Sequence, residues 1–347
     1  MQDALAICAI AAPTFAEQAR AAHVAGLLRA AGAAPQVDPA GNVVARFGPA
    51  DGPAAIVAAH LDTVFGPEVD VTPHRDADLL HGPGIGDDSL AVAALVHIAR
   101  RLAARPPRHP IVLAATVGEE GLGDLRGARA VLDAIACDAF VALEGHGLES
   151  MQTAGIASAR LVAVARGPGG HSWGDRGRPS AVHALIEGLH DALAAAGDGH
   201  MNVGVVRGGT SINTIAAEAE AEIDLRDADD AALDERIARV ERALRGRGLD
   251  VRHVGRRPGG RTPSDHPLIA AARAARTAAG LPAAEENASS TDANAALGRG
   301  IPAVCVSLTR GAGAHTLEEH VQIAPLGQGV AALDALVDAL SAGLSGI

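Results

Sequence analysis

Lysine and tyrosine are absent from this chain of 347 residues, and its aromatic side chains are limited to four Phe and one Trp. Without lysine there can be no lysine Schiff-base nucleophile and no phosphate-loop lysine. Only three cysteines occur, Cys8, Cys137 and Cys305, widely spaced and without a C-x-x-C pair. They read as small core residues in a reducing compartment and form neither a disulfide framework nor a thiolate metal site. Long apolar runs are lacking too. The stretches 54–59 and 111–117 are far shorter than a membrane span, so no membrane partner is expected. The N-terminus has no basic segment leading into an apolar one, and a cytoplasmic location is the expectation. Positive charge is also in deficit. The net charge is −12, whereas a nucleic-acid binder usually presents a basic face. A metal-free serine hydrolase built on a nucleophile elbow is set aside.

What the chain does have is apolar sequence, 48% by composition, enough for a sizeable core and two domains. The Ala-rich segment 1–33 reads as helix, and 43–47 and 54–59 as short strands. Apolar residues at helical spacing (Leu90, Val92, Ala93, Leu95, Val96, Ile98, Leu102) predict a helix over 89–104. Buried strands follow at 111–117 and 139–143, separated by a helix at 125–135. Strands that are apolar on both faces and alternate with helices indicate an α/β domain covered on each side. The pattern changes after about residue 153. Strand-like 158–165, helix-like 179–196 and strand-like 200–206 precede Ala217-Glu218-Ala219-Glu220-Ala221-Glu222-Ile223-Asp224-Leu225, which alternates with period two. A helix would not place an acid at every second position, so this is read as a half-exposed strand. A helix at 231–244 and a strand at 251–254 complete the block. Arg256 to Pro263, rich in Gly, Pro and Arg, reads as a linker. Helices at 268–279 and 330–344 and a buried strand at 303–307 resume the first pattern. The expected organisation is a discontinuous α/β domain, 1–153 with 263–347, interrupted by an α+β domain at 154–262.

The chemistry lies in five short motifs. They are His60 and Asp62 in His-x-Asp, Asp87-Asp88 after Gly82-Pro83-Gly84-Ile85-Gly86, the pair Glu119-Glu120, Glu144 in Ala-Leu-Glu-Gly, and His315 in Gly-Ala-His-Thr. Each alone has an ordinary explanation: a surface histidine, a helix N-cap, solvated acids in a turn, a surface acid, a loop histidine. Together they supply imidazole nitrogen and carboxylate oxygen, the donor set of a borderline cation such as zinc. His60, Glu119-Glu120 and Glu144 follow apolar strands, and sites in open α/β sheets gather at the carboxyl ends of strands. Asp62 is placed to take the second imidazole N–H of His60 and fix its tautomer. Adjacent acids at one strand end suggest divided labour, one as ligand and one as general base.

With these motifs in this order, the chain resembles the co-catalytic zinc metallopeptidases that include peptidase T, carboxypeptidase G, aminoacylase and acetylornithine deacetylase. The resemblance covers nearly the whole chain. It implies a zinc-peptidase-like α/β domain with a mixed central sheet and an inserted α+β lid and dimerisation domain. It implies two zinc ions per chain, with cobalt or manganese as substitutes: His60, Asp87 and Glu144 on one, and Asp87, Glu120 and His315 on the other. It further implies Glu119 as general base and a cis peptide between Asp87 and Asp88. Gly169-Gly170-His171-Ser172 resembles the motif whose His enters a partner subunit's site, which implies a homodimer. The segments 208–213 and 224–226 resemble the family's substrate contacts, implying roles for Asn213 and Arg226. One departure is Ser89, two residues after Asp87, where many members carry Lys.

The expected reaction is metal-assisted hydrolysis of an amide in a short peptide. Deacylation of an N-acyl amino acid shares all the chemistry and stays open. A zinc-dependent binding protein without catalysis is a third reading, disfavoured because a binder has no use for an unligated Glu119.

Overall fold

The computed structural model describes residues 1–344. The chain divides into two compact units, Met1–Gly155 together with the chain from Arg261 onward, and Ile156–Gly260. Among the described residues no helix is long and apolar enough to cross a membrane.

In the first unit four parallel strands form the centre of a mixed sheet, in the spatial order Ile111–Thr116, Ala54–His60, Cys137–His146, Ala303–Thr309. Val43–Phe47 joins antiparallel on one side and Ser150–Gly155 on the other. The two strands Ala54–His60 and Ile111–Thr116 are buried throughout, and the two-residue period explains how. Ala55, Val57 and Ala59 share a core with helix Leu90–Ala104, while Ala54, Ile56 and Ala58 share one with helix Arg126–Ala134. Sheet faces covered on both sides produce the uninterrupted apolar runs of the sequence.

The second unit is a four-stranded antiparallel sheet, in the order His200–Gly208, Glu218–Asp227, Ala157–Arg166, Asp250–Arg257. Helices Ala181–Ala196 and Asp230–Gly246 build a core with it. Along Glu218–Asp227, Ala219, Ala221, Ile223 and Leu225 are buried and the intervening acids are not, so tertiary burial overrides the helix preference of Ala and Glu. Asp229 caps the second helix by accepting the Ala232 N–H at 2.8 Å, worth about 1 kcal/mol. The fold is therefore α/β with an inserted α+β unit.

Several elements differ from the sequence expectation. The helix expected over 1–33 is two helices, Gln2–Cys8 and Gln18–Ala30. Pro13, which lacks an amide hydrogen, and Phe15, at φ 75°, lie in the interruption. The fully buried guanidinium of Arg20 donates to the carbonyls of Cys8, Ile10 and Leu61, pinning that interruption beside the end of strand Ala54–His60. The linker expected over 256–263 contains the end of strand Asp250–Arg257 and a short strand Gly260–Arg261. Short strands at His74–Asp76, Leu79–His81, Gly311–Ala312 and His320–Gln322 form a separate small sheet with no apolar run to announce it.

Candidate metal centre

Strand Ala54–His60 lies between the next two strands of the central sheet in chain order, so within that sheet the chain leaves it first to one side and then to the other. Such a reversal opens a crevice at the carboxyl ends of the strands. His60 is the last residue of that strand. Ala58 pairs with Ala142, so Glu144 sits level with His60 and on the same face. Glu144 is inside a longer strand, Cys137–His146, and does not follow one. Glu119 and Glu120 follow the neighbouring strand Ile111–Thr116.

The His60 ring is held at both nitrogens. Nδ1 donates to the carbonyl oxygen of Asp62 at 3.0 Å and lies 3.6 Å from its carboxylate, while Nε2 is 2.9 Å from Asp87 Oδ1. The closer partners of the Asp62 carboxylate are amides: the Glu119 and Glu120 N–H groups each donate to it at 2.9 Å. The Thr14 hydroxyl adds a bond at 3.0 Å. Asp62 therefore orients the histidine and also fixes the turn that presents the two glutamates.

The other oxygen of Asp87 meets His315, whose Nε2 is 3.0 Å from Asp87 Oδ2 and 3.0 Å from Glu120 Oε1. One carboxylate thus contacts two imidazoles through different oxygens. The peptide from Asp87 to Asp88 is cis. The N-cap of the following helix is Ser89, so neither acid is that cap. Asp88 is fully buried and accepts the amides of His60 and Gly145 at 3.1 Å, tying two strand ends together.

The electrostatics follow from burial. Desolvation pulls His60 toward the neutral form, but Asp62 and Asp87 outweigh it and hold the imidazole well above its ordinary value. Hydrogen bonds donated to the Asp87 and Glu120 carboxylates push His315 up to about 10. Burial opposes ionisation of Asp87, yet His315 and His60 keep its carboxyl well below the usual range. Burial, reinforced by neighbouring carboxylates, drives Asp88 and Glu144 well upward. Carboxylates in such excess, with imidazoles drawn to the cationic form, suit a dication in place of protons. The donor atoms fit that reading. His60, Asp87 and Glu120 each offer an atom within 4.8 Å of the others, as do His60, Asp88 and Glu144. His60, Asp87 and Glu120 can hold a divalent metal.

The remaining sequence candidates lie in the second unit. His171 ends a short strand paired with Thr214–Ile215, and its ring Nδ1 accepts the N–H groups of Trp173 at 3.2 Å and Gly174 at 3.1 Å. Asn213 accepts the Ser172 N–H through its carbonyl and the Ser211 hydroxyl through its side chain. Arg226 donates from Nε to Asp224 at 2.7 Å. Gly170-His171-Ser172-Trp173-Gly174 also matches the Gly-x-Ser-x-Gly string of a serine hydrolase. The geometry is wrong for that chemistry. Ser172 lies in a turn after a two-residue strand, and no helix starts between it and Ala181.

The sequence profile of Peptidase family M20/M25/M40 matches residues 56–339. The chain belongs to that family. Membership places it among metallopeptidases and amidohydrolases. Among solved structures, this M20 chain is similar to aminopeptidase PepT from Bacillus cereus ATCC 10987, with 21% identity, a TM-score of 0.75, and 98% of this chain and 97% of that one covered. It is also similar to a tripeptidase from Staphylococcus aureus subsp. aureus mu50, at 19% identity and a TM-score of 0.78, over 98% and 97% of the two chains. At such identities the likeness is one of fold. A stretch of 79 residues is 38% identical to the uncharacterized protein YfbL of Escherichia coli strain K12, spanning 23% of this chain and 22% of that protein.

Glu319 is absent from the sequence candidates although it supports the centre directly. Its buried carboxylate accepts the amides of Gly84, Gly86 and Asp87 at 2.6, 2.7 and 2.8 Å. Burial pushes its carboxyl up to about 7, against the pull of those donors. Its position beside Glu318, four residues beyond His315, is the one signal the sequence offered. Glu319→Ala is expected to destabilise the protein by about 3 kcal/mol, since it strands three amide donors, two of them on the Gly84–Gly86 turn. It should also lower metal retention, because the turn carries Asp87. Denaturant unfolding and metal analysis check both, and a variant as stable and as metal-rich as the parent would remove this role.

Proposed function

We propose that this M20 protein is a two-metal hydrolase that cleaves the amide bond of short peptides. The observation that carries the reading is Asp87, whose two oxygens face two different imidazoles, His60 at 2.9 Å and His315 at 3.0 Å. That arrangement supports a carboxylate shared by a pair of ions. His60, Asp87 and Glu144 would hold one ion, and Asp87, Glu120 and His315 the other. Two imidazoles among carboxylates favour zinc, with cobalt or manganese as substitutes. When bound, the ion pair supplies a water of lowered pKa and polarises the scissile carbonyl.

The protein's own groups do the rest. Glu119, held by its amide to Asp62, takes the proton of the attacking water and returns it to the leaving nitrogen. Because Nδ1 of His171 accepts two backbone N–H groups, the ring N–H is on Nε2. That tautomer suits a donor to the tetrahedral oxyanion, worth about 3 kcal/mol if typical of such donors. In this reading the inserted unit is a lid and dimerisation domain, and the chain is a homodimer in which His171 serves the site of the second subunit. Arg226 and Asn213 would hold the carboxylate or peptide oxygen of the substrate, the guanidinium matching carboxylate geometry.

Metal-reconstituted protein assayed against dipeptides, tripeptides and N-acetyl amino acids tests the proposal. Release of free amino acids from the peptides is the expected result. Hydrolysis confined to N-acetyl amino acids would make the protein a deacylase using the same centre. No hydrolysis by fully metal-loaded protein would leave a binding protein in its place.

A further inference from the structure

The small sheet of the first unit carries a row of histidines apart from the centre just described. His74 lies directly opposite His81, and His81 directly opposite His320, on three neighbouring antiparallel strands. Side chains at directly opposed positions share a face. The His74 and His81 rings stack, with centroids 4.9 Å apart and planes 6° apart, and the His81 and His320 centroids are 5.5 Å apart. His74 is exposed, and the other two are half-buried. On His320, Nδ1 lies 3.0 Å from the carbonyl oxygen of Glu318. A carbonyl can only accept, so Nδ1 carries the proton and the lone pair is on Nε2. Histidine ligands to metals are commonly oriented by a bond of this kind.

From the row and this tautomer we propose that His74, His81 and His320 form a second metal site, for a single divalent transition ion of the imidazole-preferring kind such as Cu2+, Ni2+ or Zn2+. The ligand set is neutral nitrogen, which selects these ions over magnesium or calcium. The backbone register brings the three rings together, but their nitrogens do not all lie within 4.8 Å of one another here, so binding one ion requires the stacked rings to turn about their side-chain bonds. The position has a structural consequence. His81 precedes Gly82, which begins the turn leading to Asp87, and His320 follows Glu319, whose carboxylate holds that turn. An ion bridging the strands would fasten Leu79–His81 to His320–Gln322 and stiffen the support of the Asp87 turn.

The test is copper titration of zinc-loaded protein, followed by metal analysis and electron paramagnetic resonance, for wild type and His81→Ala. Copper that exchanges into the Asp87 centre appears in both proteins. The wild type is expected to take up about one further ion per chain, with the hyperfine pattern of several imidazole nitrogens. Nickel should also raise the melting temperature of the wild type and not of the variant, since an ion that binds only the folded form stabilises it. His74→Gln and His320→Asn, at the two ends of the row, serve if His81→Ala does not fold, and each should weaken this uptake. Equal copper uptake and identical spectra in wild type and variants would overturn the proposal, whatever the outcome of the peptide assays.

Discussion

Replacing Glu119 with Gln is expected to lower turnover by about two to four orders of magnitude, the usual contribution of a positioned general base. Metal content and the melting temperature should be retained. The amide keeps the size of the side chain but has no basic oxygen for the water proton. The turn is secured by backbone amides bonded to Asp62, which the substitution leaves in place. Glu120→Gln should behave in the opposite sense. Glu120 faces His315 at 3.0 Å and shares a potential metal position with His60 and Asp87. Its loss should lower metal content first, with activity partly restored by added metal. Steady-state kinetics and metal analysis of the two purified variants decide the matter. A Glu119→Gln protein that loses metal, beside a Glu120→Gln protein that keeps it, would reverse the assignment.

Metal removal should abolish hydrolysis outright and make stability depend on pH in a defined direction. In the metal-free chain the His60 and His315 imidazoles and the Asp88 and Glu144 carboxyls are all shifted upward. A folded state that binds more protons than the unfolded one loses stability as pH rises. The histidine contribution is complete below the ordinary value of 6.5 and disappears as pH climbs toward about 10, the value for His315. Metal-free protein should therefore melt at progressively lower temperature across that window. Metal binding requires the deprotonated ligands, so the stabilisation by added zinc should grow over the same range. Free zinc at a hundred times its dissociation constant adds about 2.7 kcal/mol. Calorimetry with and without chelator checks both trends. Full activity after complete chelation, or a metal-free melting temperature that rises with pH, would contradict this account of the centre.

The sequence by itself determined the two-domain pattern of the chain and the residue types of the centre. The period-two acids of 217–225 and the wholly apolar strands near 54–59 and 111–117 are local signals, because each depends on which faces of one strand meet water. His60, Asp62, Asp87, Glu119, Glu120, Glu144 and His315 were selectable because their short motifs, each ordinary alone, together supply the donor set of a metal centre. Only the tertiary structure decided how these residues meet. Asp87 lies between two imidazoles because the strand carrying His60 is placed at a reversal of the sheet and the His315 loop returns from far along the chain. The supports of the centre were less legible still. Glu319 is bonded to Gly84 across 235 residues, Arg20 bridges a helix break to the end of a strand, and Asp88 joins the amides of His60 and Gly145. Each acts through backbone groups that every residue possesses, and a backbone amide leaves no mark in the sequence to say what will pair with it.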